Sequence, residues 1–266
     1  MSDETLSPPV RRMAQARALS AGAGKSNRGA PGYSRWINRP AGRQLAILAF
    51  RIGLSPNQVT LLSGLTSLVG IVVLALAPAT VPVGVLVAFL LALAYALDSA
   101  DGQVARMQGG GSRTGEWLDH VIDCVKIAAL HSAVLVAWYR SYDLPDAMLL
   151  VPIVFGIQAS TYFFTKILTD QLRDSAAVSA AAAATAAAGA PVEPTTPPAV
   201  SVDDGRPPVL ASLLVLPLDY GLLCVTFVLL GFHQLFVWAY CALALMGVVL
   251  LVAAFGKWYR DLSRVA

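Results

Sequence analysis

Six long apolar runs dominate this chain, at about residues 58–77, 82–105, 115–139, 146–169, 209–230 and 234–256. Each is close to the ~20 residues that a helix needs to cross a bilayer. In lipid the backbone must satisfy its own hydrogen bonds, and a helix does so within one segment. The runs therefore predict an all-α polytopic membrane protein with six transmembrane helices. Of the 266 residues, 56% are hydrophobic and 13% charged, where a soluble domain has about half and a quarter. The surplus is concentrated in the runs. A formal net charge of +3 is too small to suggest a nucleic-acid partner.

Charge placement orients the spans. Nine of the 19 Lys and Arg residues precede the first run: Arg11, Arg12, Arg17, Lys25, Arg28, Arg35, Arg39, Arg43 and Arg51. Arg106 and Arg113 lie between the second and third runs, Arg173 and Arg206 between the fourth and fifth, and Lys257, Arg260 and Arg264 after the sixth. The loops after the first and fifth runs carry none, and Arg140 after the third is offset by Asp143 and Asp146. The positive-inside rule then puts both termini in the cytoplasm. The polar, basic N-terminus predicts no cleavable signal peptide. The Ala, Gly and Val bias suggests a bacterium with a GC-rich genome, and hence the plasma membrane.

Residues 1–33 are rich in Ala, Gly, Ser and Arg and read as a disordered basic tail. Residues 34–54 interleave Trp36, Ile37, Leu45, Ile47, Leu48, Phe50 and Ile52 with Arg35, Arg39, Arg43 and Arg51. That pattern predicts an amphipathic helix lying in the membrane interface, facing lipid headgroups. Ser55-Pro56-Asn57 signals a helix start and opens a transmembrane domain over 55–256. Within it, residues 175–207 are Ala-rich and then Pro-rich, which predicts a flexible cytoplasmic loop. Residues 257–266 form a cytoplasmic tail. Cys124, Cys224 and Cys241 read as small buried hydrophobes, His131 as a packed histidine, and His233 as a loop residue. Trp138, Tyr139, Trp238, Trp258 and Tyr259 read as an interfacial aromatic belt.

Chemistry concentrates between the second and third runs. Asp98 and Asp101 are three residues apart and share one helix face. Asp119 and Asp123 are four apart and share a face of the next helix. Residues 107–114, Met-Gln-Gly-Gly-Gly-Ser-Arg-Thr, form a tight connection that folds the two helices into an antiparallel pair, so the four carboxylates converge. The spans offer no cluster of Lys or Arg to neutralise them, and four acids at a membrane boundary repel one another. Divalent cations would neutralise them, and an all-oxygen site favours Mg²⁺ or Mn²⁺ over Zn²⁺. Such a site suits phosphoryl chemistry. Gly102 and Ala105 leave room for a ligand to approach the backbone, and Arg106 is placed to pair with a phosphate.

The run from Asp98 to Asp123 matches D-x2-D-G-x2-A-R-x8-G-x3-D-x3-D at every fixed position. It resembles the signature of the CDP-alcohol phosphotransferase family. The resemblance implies a six-span, commonly homodimeric membrane enzyme with a cytoplasmic active site, two bound Mg²⁺ or Mn²⁺ ions, a CDP-linked donor, an alcohol acceptor and membrane lipid as partner. It implies that Asp98, Asp101 and Asp119 hold metal and that Asp123, also beside the metal, is the catalytic base. Gly102, Ala105, Arg106 and Gly115 would pack around the CDP moiety, and Pro56, Asn57 and Thr60 resemble the family's first-span entry and would help bind it.

Glu116 and His120 follow the wording Gly-Glu-x-x-Asp-His, similar to the choline and ethanolamine phosphotransferases, and are candidates for a share in the base role. Lys166 and Arg173 give no clear match to the basic residues of phosphatidylinositol-phosphate synthases. The sequence thus leaves two directions open: CDP-diacylglycerol as donor to a polar alcohol, or a CDP-amino alcohol as donor to diacylglycerol. A rival class is a transporter with a carboxylate-lined ion path, although these acids cluster at one boundary beside a glycine turn.

Overall fold

The structure is a computed structural model, and it describes residues 8–23, 31–187, 212 and 216–263. Nearly all of them are helical, with no strand among the described residues. The elements are α1 (Pro8–Gly22), a π-helical stretch (Ser34–Asn38) leading into α2 (Arg39–Ile52), α3 (Pro56–Leu76), α4 (Val81–Met107), α5 (Arg113–Ser141), α6 (Leu150–Ala187), α7 (Tyr220–Thr226) and α8 (His233–Leu262). Among the described residues, five helices are long and apolar enough to cross a membrane, beginning at Pro56, Val81, Arg113, Asp146 (a 3₁₀ turn, Asp146–Leu149, that leads into α6) and His233.

Local chemistry sets the boundaries. Ser55 and Gln58 form a reciprocal cap: the Gln58 amide donates to Ser55 Oγ at 3.3 Å and the Ser55 amide to Gln58 Oε1 at 2.8 Å. Pro56 follows at the first helical position, where its missing N–H costs nothing. Between α4 and α5 the chain turns on Gly109 and Gly110, whose φ angles of +100° and +129° suit glycine. Ser112 then caps α5 by accepting from the Gly115 amide at 3.0 Å. The predicted antiparallel pair is therefore present.

α4 is the hub. It packs along α3, is crossed by α2, and meets α7 at its far half. The α2 crossing depends on Gly42, where a Cβ would sit 2.8 Å from the Ser99 side chain and 3.0 Å from the Ala96 carbonyl oxygen. One apolar cluster fills the half of the bundle away from the glycine turn, with Leu91, Val134, Trp138, Phe227, Phe236 and Tyr240 at its centre. A second, of smaller side chains (Ala16, Ala46, Ala49, Val59, Ala100 and Val104), lies under α1 and α2. Outward-facing Leu65, Phe89, Ile157, Leu245 and Val252 are exposed, as a lipid-facing surface requires.

Several expectations are corrected. The tail read as disordered contains α1, whose Ala16 and Ser20 are buried and whose Ser20 Oγ accepts from Arg43 Nε at 3.2 Å. Tertiary contact, not composition, orders it. Residues 175–187 continue α6 as helix rather than loop, consistent with alanine's high helix propensity. At 38 residues, α6 is about 57 Å long and overshoots a hydrocarbon layer of about 30 Å. The fifth predicted span is not one continuous helix where it is described. Leu216–Leu218 is a 3₁₀ turn, Asp219 caps α7, and Phe227–Leu229 tightens again to 3₁₀. Pro217 and Asp219 break the run. Asp219 is buried, accepting from the Ser34 amide at 2.7 Å and the Gly221 amide at 3.0 Å, so it fastens the N-terminal segment to α7. Residues 1–7, 24–30, 188–211, 213–215 and 264–266, with the Pro-rich loop and the start of the fifth run, lie outside the described residues.

Three single-residue readings also change. Trp138 is fully buried against Tyr240, not in an interfacial belt, whereas Tyr139, Trp238 and Tyr259 are exposed. Cys124 is exposed. His233 opens α8, with Nε2 3.2 Å from the Ala79 carbonyl oxygen.

Candidate active site

Helical spacing and the glycine turn deliver the acids as expected, with one exception. Asp98, Asp119 and Asp123 each offer a carboxylate oxygen within 4.8 Å of the others. Asp101 is not part of that trio. It is buried and turned to α3, accepting from Thr60 Oγ1 at 2.7 Å and from the Gly102 amide. The trio would hold a divalent ion between its oxygens, and its all-oxygen donors are the hard ligands that Mg²⁺ or Mn²⁺ prefers. The residues fit the group that the sequence implies.

The reading that the spans hold no cluster of Lys or Arg overlooks a single cation beside the acids, Lys126. Its Nζ lies 2.7 Å from Asp98 Oδ1 and 2.7 Å from Asp123 Oδ1. It also donates to Ser63 Oγ at 3.4 Å. Asp123 and Lys126 are one helical turn apart on α5, and Asp98 reaches them from α4. The i,i+3 spacing was the available signal; the Asp98 partnership, across two helices, left none in the local sequence.

A cleft of about 900 Å³ opens above the carboxylates. Asp98, Asp101 and Asp119 reach it, as do all seven residues expected around CDP: Pro56, Asn57, Thr60, Gly102, Ala105, Arg106 and Gly115. Gly115 abuts the first-span entry, since a Cβ there would lie 3.0 Å from Asn57 Oδ1. Arg106 folds back over Gly102 and donates through Nε to the Ala23 carbonyl, so the N-terminal segment helps hold it. Glu116 and His120 line the cleft, but their closest charged atoms are 3.9 Å apart, beyond a hydrogen bond. His120 instead meets Phe163 of α6 edge-on. Asp123 is not on the cleft wall; it lies a turn below Asp119.

Sequence reasoning also missed the opposite wall. Arg35, Arg39 and Arg43, four residues apart, line the cleft from the π-helical stretch and α2, where a headgroup-facing role was expected. Partial burial lowers the Arg39 guanidinium from its ordinary value, but an arginine stays charged. Asn38, on the same wall, is 3% exposed. Lys166 and Arg173 are elsewhere: Lys166 pairs with Asp170 at 3.1 Å on exposed α6, and Arg173 joins α6 to Asp261 of α8.

The chain is similar to known proteins. The CDP-alcohol phosphatidyltransferase family profile matches residues 53–249. A phosphatidylinositol phosphate synthase of Corynebacterium glutamicum is 37% identical over 125 residues, which is 46% of this chain and 54% of that protein. One from Mycobacterium marinum is 32% identical over 122 residues, 46% of this chain and 50% of that one. The chain thus spans about half the length of the curated relatives it matches. The crystal structure of a Mycobacterium tuberculosis phosphatidylinositol phosphate synthase with CDP-DAG bound superposes with a TM-score of 0.53 at 17% identity, covering 84% of this chain and 94% of that one. That likeness is one of fold.

Proposed function

This chain is a member of the CDP-alcohol phosphatidyltransferase family, and from that premise we propose that it transfers the phosphatidyl group of a CDP-diacylglycerol donor to the hydroxyl of a polar alcohol, releasing CMP. The observation that carries the reading is the carboxylate trio of Asp98, Asp119 and Asp123 beside a cleft that Asp98, Asp119 and all seven residues expected around CDP line. The relatives named above favour lipid as donor over the aminoalcohol alternative. A bundle with a lipid-facing surface and a polar cleft lets a lipid and a water-soluble partner meet.

The chain's residues divide the work. Gly102 and Ala105 keep the cleft floor low enough for the donor diphosphate, and Arg106 pairs with it. Pro56, Asn57, Thr60 and Gly115 form the wall for the cytidine. Arg35, Arg39 and Arg43 oppose the carboxylates and hold the anionic groups in place. Bound Mg²⁺ or Mn²⁺, held by Asp98, Asp119 and Asp123 with Asp101 alongside, would neutralise charge developing on the diphosphate. The acceptor oxygen bonds to the β-phosphorus as its bond to the CMP oxygen breaks, and CMP leaves with that electron pair. Asp123 takes the hydroxyl proton. His120 is the second candidate for that proton, because it stands on the cleft wall and Asp123 does not. We place the cleft on the cytoplasmic side of the plasma membrane, on the charge pattern, and expect a homodimer.

The test is CMP release by the purified full chain in detergent or liposomes, with Mg²⁺, CDP-diacylglycerol and a panel of polar alcohols. Release with one alcohol, abolished in Asp119→Asn, is the expected result. Release only from CDP-choline plus diacylglycerol would move the chain to the aminoalcohol class. Ion flux across vesicles without any CMP would make it a transporter.

A further inference from the structure

The Lys126 ammonium is better satisfied than a stray intramembrane charge has any reason to be. A lysine has three N–H donors, and this one has three acceptors on three helices: Ser63 Oγ on α3 at 3.4 Å, Asp98 Oδ1 on α4 at 2.7 Å and Asp123 Oδ1 on α5 at 2.7 Å. Its side chain is 11% exposed. Ser63 is fixed in turn, donating to the Ala94 carbonyl at 2.9 Å. The ammonium therefore sits on the inner side of the trio, and Asp98 and Asp119 reach the cleft. Two of the three carboxylates that would hold a divalent ion already share a positive charge built into the chain.

Resting on the metal reading above, we infer that Lys126 is a positioning residue: it is the cup's resident counter-cation, tying Asp98 to Asp123 without metal and competing with the divalent ion for the same carboxylates. A unit charge a few ångströms from an ion, in a site sheltered from water, opposes its binding by far more than it would in water. Simple scaffolding makes the opposite prediction. A lysine that only held α3, α4 and α5 together would, on removal, loosen the cup and weaken metal binding. The sign of the change separates the two roles.

The experiment is a Mn²⁺ titration of the full chain in detergent, read by the electron paramagnetic resonance of free Mn²⁺. The expected result is that Lys126→Met lowers the half-saturating Mn²⁺ concentration by about tenfold or more, while the metal-free variant melts at a lower temperature. Lys126→Arg, which keeps the charge, stays within about threefold of the parent. Unchanged or weaker Mn²⁺ binding in Lys126→Met overturns the inference. The parent chain gives an independent readout that needs no foldable Met variant. It has four lysines, Lys25, Lys126, Lys166 and Lys257, so ε-¹⁵N-lysine spectra are simple, and Lys126→Arg identifies the signal. Saturating Mg²⁺ should shift the Lys126 resonance, and an unmoved resonance would also overturn the inference. If the parent and the variants alike bind no Mn²⁺, the metal reading itself fails and this proposal fails with it.

Discussion

α5 solves the problem of polar groups inside a membrane twice, in opposite ways. In its first half Asp119 lines the cleft, and Asp123 and Lys126 pair beneath it as charge with charge. Five residues beyond Lys126, His131 is 4% exposed and pairs with a neutral hydroxyl, Tyr240 Oη, at 2.6 Å from Nδ1. Phe155 lies over it, with ring centroids 4.4 Å apart, and Trp138 closes the far end with no exposed surface. The first arrangement keeps charge beside the cleft. The second removes charge and rigidifies the bundle through aromatic packing. A buried polar residue is thus no functional signal by itself; what distinguishes the two sites is access to the cleft.

The contrast can be tested by breaking each end and watching the other. The largest effect is expected from Asp123→Asn, which should cut the rate of CMP release by about 10²–10⁴-fold while leaving near-ultraviolet circular dichroism from the Trp138 region intact. Lost aromatic dichroism would mean that the two ends share one structural unit. Next is Trp138→Ala, expected to destabilise the bundle by about 3–5 kcal/mol in a reversible unfolding assay, with Mn²⁺ affinity of the folded fraction unchanged. Weakened Mn²⁺ binding would contradict the separation. Tyr240→Phe leaves His131 without its hydroxyl partner and should cost about 1–3 kcal/mol with turnover preserved. The smallest change is expected from His120→Ala, a fall in turnover of less than about tenfold. A larger loss with an altered pH profile would move the base role from Asp123 to His120.

The sequence carried the acids because their order is local: three- and four-residue spacings set faces, and a glycine turn joins them. It carried the spans because hydropathy is additive along a run. Lys126 was missed because one lysine in an apolar stretch gives no periodic signal, and its meaning depends on Asp98 across a helix interface. The turn of Asp101 toward α3 was hidden for the same reason, since Thr60 lies 41 residues away. α1 was read as disordered because polar, Ala-rich sequence lacks a strong apolar stripe, yet Ala16 and Ala23 are small enough to pack flush against the surface of α2 and α4. The interrupted fifth run had its warning in Pro217 and Asp219, outweighed by the hydropathy around them.

The capped turn between α4 and α5 also works as a phase lock. Ser112 fixes where α5 begins, and each residue thereafter advances the helix by roughly 100°. One extra residue between Gly115 and Asp119 would swing both carboxylates and the lysine a quarter-turn or more away from Asp98. Neither composition nor hydropathy would register the change, so in this stretch the count of residues matters as much as their identity.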